Sequence, residues 1–216
     1  FLAANPGERI TCEVCGPYRE PVEGFYGMLE DGTAVIEMAA AAGLPLVGQN
    51  RRADKTTTFG VGQLIVHALD RGATALYIGL GGSASTDGGA GLLMALGAHL
   101  LDGEGAQIGR GLRGLENLAS IDLSPALERL QRVSVSILND VTNPLVGTRG
   151  VARIFGPQKG LCAHGAPADS LDQADSSLVR YGKLLTQARD ALDGSALQVG
   201  EAGARPRSLM SVPGAG

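Results

Sequence analysis

The feature that most constrains this chain is Gly79-Leu80-Gly81-Gly82-Ser83-Ala84-Ser85-Thr86-Asp87-Gly88-Gly89-Ala90-Gly91, a loop carrying six glycines and four hydroxyl or carboxylate side chains. It follows Thr74 to Leu80, an apolar run that predicts a strand with no wet face. Such a strand belongs in a parallel, helix-covered sheet. A helix is expected after the loop, from about Ala90 to Leu101. Before the strand, Leu64, Ile65, Ala68 and Leu69 recur at helical spacing, with Thr56-Thr57-Thr58 as N-caps and Gly72 just past the end. Helix, strand, glycine loop, helix is an α/β pattern.

A glycine loop between strand and helix lets backbone N–H groups approach an anion without obstruction by Cβ, and the helix N-terminus adds about half a positive charge. Gly81, Gly82, Ser83, Ser85 and Thr86 are the candidate contacts for a phosphate or carboxylate, and Asp87 is a candidate catalytic carboxylate. The structural alternative is a plain turn in which Thr86 or Asp87 only caps the helix. The loop lacks the Gly-Lys-Ser/Thr ending of a Walker loop, and it fits only the looser dinucleotide pattern, with Ala84 in last place.

The segment before residue 56 reads as antiparallel β. Arg9 to Cys15 alternates, Val22 to Leu29 returns, and Asp31-Gly32 is a two-residue hairpin signal into Thr33 to Met38. Val133 to Leu138 is a second apolar run, expected to be buried, and it ends in Asn139-Asp140. A carboxylate just past the C-terminal end of such a strand sits where open α/β sheets bind ligands. Asp140 is therefore a candidate to hold Mg²⁺ or to take a hydroxyl proton, with an Asx turn into Asn143-Pro144 as the alternative. Lys159, in Phe155-Gly156-Pro157-Gln158-Lys159-Gly160, offers a point charge for phosphate or is simply a solvated loop lysine. Asn143 is a further candidate contact, and Glu37 a weaker one. His67 and His99 fall in helical patterns and read as structural. Ser124-Pro125 opens a short helix, and Leu171 to Leu192 reads as a long one that buries Leu178, Tyr181, Leu184, Leu185 and Ala188.

Composition excludes several classes. A net charge of −4 leaves no basic footprint for nucleic acid, and no apolar run reaches the length of a membrane span. Phe1-Leu2-Ala3-Ala4 has no secretory signal character, so a cytoplasmic location is the default expectation. The chain does not begin with Met and reads as a piece of something longer. Cys12 and Cys15, spaced C-x-x-C, suggest a zinc pair with Cys162-Ala163-His164 only if they share a turn; on a strand they face opposite sides.

Taken together, these segments resemble the glycerate kinase family. The resemblance runs in order through Val22-Glu23, Ala34 to Ala41, Thr56 to Ile65, the glycine loop, Asp140 to Leu145, Phe155 to Gly160 and Val212 to Gly216. The family usually has Ala-Thr-Asn-Asp where this chain has Ala84-Ser85-Thr86-Asp87, and Cys or Ser where it has Asn139. The resemblance implies a two-domain α/β kinase, in which a second α/β domain is inserted into a Rossmann- or flavodoxin-like one. Residues 1–16 would then end the first domain or act as a linker. Residues 17–192 would be the inserted domain, with antiparallel β on its N-terminal side and a mixed or parallel sheet flanked by helices. Residues 193–216 would be a linker or truncated element. The family's activity is MgATP-dependent phosphorylation of D-glycerate, generally to the 2-phosphate in this branch. The implied ligands are ATP, Mg²⁺ and D-glycerate, and a homodimer stays open. The piece alone is expected to be inactive. Two alternatives stand beside this reading: a non-catalytic phosphate- or nucleotide-binding domain, and a small-molecule kinase of the galactokinase or homoserine kinase type, whose Gly-Leu-Gly-Ser-Ser loop is similar to residues 79–85.

Overall fold

The computed structural model describes residues 3–162 and 166–193. The C-terminal tail, with its Pro-Gly-Ala-Gly run, and the Ala163-His164 pair lie outside them.

Strand β1 (Gly7–Cys15) turns into β2 (Pro21–Leu29), and Asp31-Gly32 reverses the chain into β3 (Thr33–Glu37). Two short helices follow, α1 (Ala39–Ala42) and α2 (Leu44–Val47), then the longer α3 (Phe59–Asp70). Strand β4 (Ala75–Gly79) leads through the glycine loop to α4 (Ala90–Ala95). After these come β5 (His99–Leu101), a 3-10 helix (Leu112–Asn117), β6 (Ser120–Asp122), α5 (Ser124–Leu130) and β7 (Ser134–Leu138). Helices α6 (Val151–Ile154), α7 (Gly156–Lys159) and α8 (Ser170–Asp193) complete the described chain.

The main sheet has the order β1-β2-β3-β4-β7. Its first three strands are antiparallel, as the hairpin signals require, and β3, β4 and β7 are parallel. The parallel strands end level with one another, because Glu37 pairs with Gly79 and Gly79 with Leu138. The ladder continues one step further: Met38 N–H donates to Gly79 O at 2.8 Å and Leu80 N–H to Leu138 O at 3.2 Å. That alignment brings three chain exits to one rim, the position where parallel sheets bind ligands.

The core lies between the sheet and α3. Tyr26, Ile36 and Leu76 from the strands and Val61, Leu64 and Ile65 from α3 are fully buried. Each large apolar side chain contributes about 1.5–3 kcal/mol on burial. His67, also on α3, meets Tyr26 Oη through Nδ1 at 2.9 Å, which fits its structural reading.

The structure corrects four local expectations. The helix after the glycine loop stops at Ala95; Gly97 has φ +105°, and His99 to Leu101 pairs with Ser120 to Asp122 as a small antiparallel ribbon. His99 is therefore on a strand. The run 133–138 is a strand but not a buried one: β7 is the outer strand of the sheet, and Val135, Ile137 and Leu138 are 42%, 51% and 46% exposed. The strand at 75–79 does have a wet face, since Tyr77 is 36% exposed. An apolar run reports a demand for burial, and among the described residues nothing covers this end of the sheet. Finally, Thr58 occupies the N-cap position of α3 without a side-chain capping bond: its hydroxyl donates to Asp87, while Thr57 Oγ1 accepts from Phe59 N–H at 3.2 Å.

Candidate active site

At the rim where β3, β4 and β7 end, the glycine loop, the segment after β7 and the α6–α7 corner enclose a cleft of about 410 Å³. Gly81, Gly82, Ser83, Ser85, Thr86, Asp87, Asp140 and Lys159 all line it. Asp140, exposed on the segment leaving β7, thus shares a cavity with a loop more than fifty residues away in sequence. Leu44, Leu80, Leu92, Leu145, Val151 and Phe155 supply an apolar wall. Asn143 is not among the lining residues. Its amide donates to Arg149 O at 2.9 Å and holds its own loop. Glu37 also stays outside the lining, which takes Met38 instead.

Asp87 lies beneath the loop, fully buried, and its carboxylate is saturated with donors. It accepts from Thr58 N–H at 2.9 Å and from Thr58 Oγ1 at 3.0 and 3.1 Å. It also accepts from Gly89 and Gly91 N–H at 3.2 Å each, and more distantly from Thr57 Oγ1 at 3.4 Å. These N–H groups start α3 and α4, so one protein carboxylate meets both helix N-termini. This changes the expected source of anion binding. The positive end of α4 is already neutralised by Asp87 and is not vacant for a ligand. Burial pushes the Asp87 carboxyl above its usual range, while the donors from Thr58, Gly91 and Gly89 pull it back down. Gly91 makes the arrangement possible: a Cβ there would run into Thr57 Oγ1 and stand 2.7 Å from Phe59 N.

The remaining positive charge is Lys159. Its ammonium donates to Ser83 Oγ and to Ser85 O, both at 2.7 Å, and so closes the glycine loop from the opposite wall. Burial lowers its pKa from 10.5 to about 8, and the negative charge of Asp87 works against that fall. The lysine is held from behind. Ala53 N–H donates to Lys159 O at 3.1 Å and Arg51 Nη1 to Gln158 O at 2.9 Å. Gly160, at φ +91°, lets the backbone of Arg51 approach where a Cβ would collide.

The glycine loop is anchored by Leu44 N–H to Gly82 O at 2.9 Å and Ala84 N–H to Ala42 O at 2.7 Å. The N–H groups of Gly81, Gly82 and Ser83 donate to no acceptor among the described residues. Thr86 Oγ1 is buried and has no hydrogen-bond partner among the described residues. Free amides, a buried hydroxyl, one cation and one exposed carboxylate thus face one cavity. That set can bind an anion, neutralise charge transferred to it and orient a hydroxyl.

Reading the sequence missed three contributors. Thr58 looks like a cap, and only the fold reveals that its hydroxyl and amide hold Asp87. Arg51 and Ala53, which secure Lys159, carry no local signal.

The chain matches the profile of the Glycerate kinase family over residues 1–216. It is 46% identical over 213 residues to the glycerate kinase of Bacillus subtilis (strain 168), covering 98% of this chain and 54% of that protein. It is 43% identical over 217 residues to the glycerate 2-kinase of Escherichia coli (strain K12), covering 100% of this chain and 56% of that protein. A crystal structure from Salmonella typhimurium LT2, assigned as a glycerate kinase 2, superposes with a TM-score of 0.84 at 41% identity, over 99% of this chain and 52% of that one. The chain spans about half the length of the relatives it matches.

Proposed function

The chain belongs to the glycerate kinase family, and from that premise we propose that its cleft is the phosphoryl-transfer centre of an enzyme that phosphorylates D-glycerate with ATP. The observation that carries this reading is Lys159 bonded to the glycine loop, with Asp140 on the same cavity. Phosphoryl transfer needs little covalent help from the protein; it needs positioning and charge neutralisation.

In this reading the amides of Gly81 and Gly82 and the hydroxyl of Ser83 hold the transferring phosphoryl group or the glycerate carboxylate. Lys159, as the ammonium, offsets charge on the moving group. Thr86 Oγ1, buried without a partner among the described residues, would meet a polar atom of the substrate. Asp140 positions the acceptor hydroxyl and takes its proton, or holds Mg²⁺. The chain fits Mg²⁺ in a limited way. Magnesium is commonly held by one or two carboxylates together with substrate phosphates and water, and Asp140 is one exposed carboxylate. Among the described residues no group of three or more metal-ligating side chains exists, so the nucleotide would supply much of the coordination. When bound, the ion neutralises phosphate charge. Asp87, sealed by its donors, positions the loop and does not act on substrate.

The name of the Escherichia coli relative supports transfer to the 2-hydroxyl. Residues 17–192 are read as the inserted domain. Residues 1–16 are read as the end of the first domain or a linker, with strand β1 (Gly7–Cys15) paired along its length with β2. Among the described residues no helix is long and apolar enough to cross a membrane.

The test is Asp140→Ala in a polypeptide extended to the length of the relatives. A fall in kcat on the order of 10³-fold with an unchanged denaturation midpoint is expected; near-normal turnover would refute the assignment. The half-length coverage favours a second reading for the piece by itself, namely binding without chemistry. Steady turnover of ATP and D-glycerate by the 216-residue chain would dismiss that reading.

A further inference from the structure

Lys159 and Ser83, already placed at the phosphoryl-transfer site, stand in a relationship that also suits a second chemistry. Nζ and Oγ are 2.7 Å apart, and Nζ is fixed from a second side by Ser85 O, also at 2.7 Å. A hydroxyl in hydrogen-bond contact with an amine, itself oriented by a third group, is the arrangement of a serine nucleophile and its base. Three further features of an acyl-transfer site are present. Ser83 is only partly buried and faces the cleft. The N–H groups of Gly81 and Gly82 beside it have no acceptor among the described residues. The wall formed by Leu80, Leu145, Val151 and Phe155 suits a small apolar group.

We propose that Ser83 and Lys159 form a nucleophile–base pair that gives this cleft a second activity, the cleavage of small activated carboxylic esters through an acyl-Ser83 intermediate. In the first step the neutral Lys159 amine takes the Ser83 hydroxyl proton as Oγ bonds to the ester carbonyl carbon. The displaced electron pair rests on the carbonyl oxygen, which the loop amides serve as donors. The carbonyl re-forms, the bond to the leaving oxygen breaks, and Lys159 returns its proton to that leaving group. Water then attacks the acyl-serine, again giving its proton to Lys159. The acid departs, and Ser83 recovers its proton. Ester and water are consumed, acid and alcohol are formed, and no other reactant is needed.

The pair works only when the amine is neutral. The charged groups around it are Asp87 beneath the loop, Asp140 on the same cleft and Arg51 behind the Gln158–Lys159 backbone. Burial opposes the ammonium, and the Asp87 charge favours it. With a midpoint at about 8, the reactive form grows through mildly alkaline pH.

The proposal is independent of the kinase reading, because its test contains neither ATP nor glycerate. The 216-residue chain is incubated with p-nitrophenyl acetate between about pH 6.5 and 9, and release of p-nitrophenol is followed alongside peptide mass mapping. Expected are an acetyl adduct on the Ser83 peptide, a rate that rises with pH to a plateau above about 8, and a loss of about 10²-fold or more in Ser83→Ala and in Lys159→Met. Circular dichroism checks that each variant is folded. Should Lys159→Met not fold, the parent chain's pH profile together with Ser83→Ala decides the matter. Acetylation of Lys159 or of surface lysines without a Ser83 adduct overturns the proposal, and so does a Ser83 adduct whose rate is flat across that pH range.

Discussion

Asp87 and Thr58, 29 residues apart, are joined by three hydrogen bonds of 2.9 to 3.1 Å that tie the start of α3 to the glycine loop. Because the same carboxylate also takes Gly89 and Gly91 N–H, removing it strands several buried donors at once. Asp87→Ala should therefore cost about 3–5 kcal/mol in urea denaturation. Asp87→Asn keeps one acceptor oxygen and should lose less. An Ala variant within about 1 kcal/mol of the parent would show that Asp87 does not hold the loop.

Gly91 tests the same junction sterically. A methyl at this position would collide with Thr57 Oγ1 and stand 3.0 Å from Asp87 Oδ2. Gly91→Ala should destabilise by about 1–3 kcal/mol by overpacking, although alanine is the better helix former. Thermal unfolding of the two proteins makes the comparison, and a stabilised variant would contradict the packing described.

Lys159 makes stability depend on alkaline pH. Its folded pKa of about 8 lies below the ordinary 10.5. Below pH 8 both states are protonated, and the cost of burying the ammonium is fully present. Between about 8 and 10.5 the unfolded chain holds the proton that the folded one has released, so stability rises with pH. The rise should total at most about 3 kcal/mol and vanish in Lys159→Met, as measured by urea titration at a series of pH values.

Ile78 and Ile137 are register partners on adjacent strands, yet one is 4% and the other 51% exposed. Ile78→Ala should cost about 2–4 kcal/mol and Ile137→Ala under about 1 kcal/mol in the 216-residue chain. Equal losses would mean that β7 is covered in solution.

This contrast also shows why part of the fold was legible from sequence and part was not. Asp31-Gly32 and the alternation before it encode the hairpins locally, and the helical spacing of Leu64, Ile65 and Ala68 encodes α3. Val133 to Leu138 encodes a strand, but its neighbour and its cover are matters of topology, and the run could not say that it lies at the sheet edge. Gly97, at φ +105°, ends α4 short of the 90–101 span that the apolar residues on both sides predict. At the site, the glycine loop, Asp140 and Lys159 were visible as residue types in suggestive places. Their convergence was not, because it depends on β4 and β7 ending level. The expectation of an open helix N-terminus failed for a physical reason: the chain supplies its own anion there, Asp87.

In the proposed site, Gly81, Gly82, Ser83, Asp140 and Lys159 share one anionic ligand. The most direct test of this sharing is a titration of the 216-residue chain with MgATP and with D-glycerate, followed residue by residue through backbone amide and lysine Nζ NMR signals. The largest shifts are expected on Gly81, Gly82, Ser83, Asp140 and Lys159. Shifts gathered around the separate Arg52–Arg113 cleft, with the glycine loop and Asp140 unmoved, would contradict it.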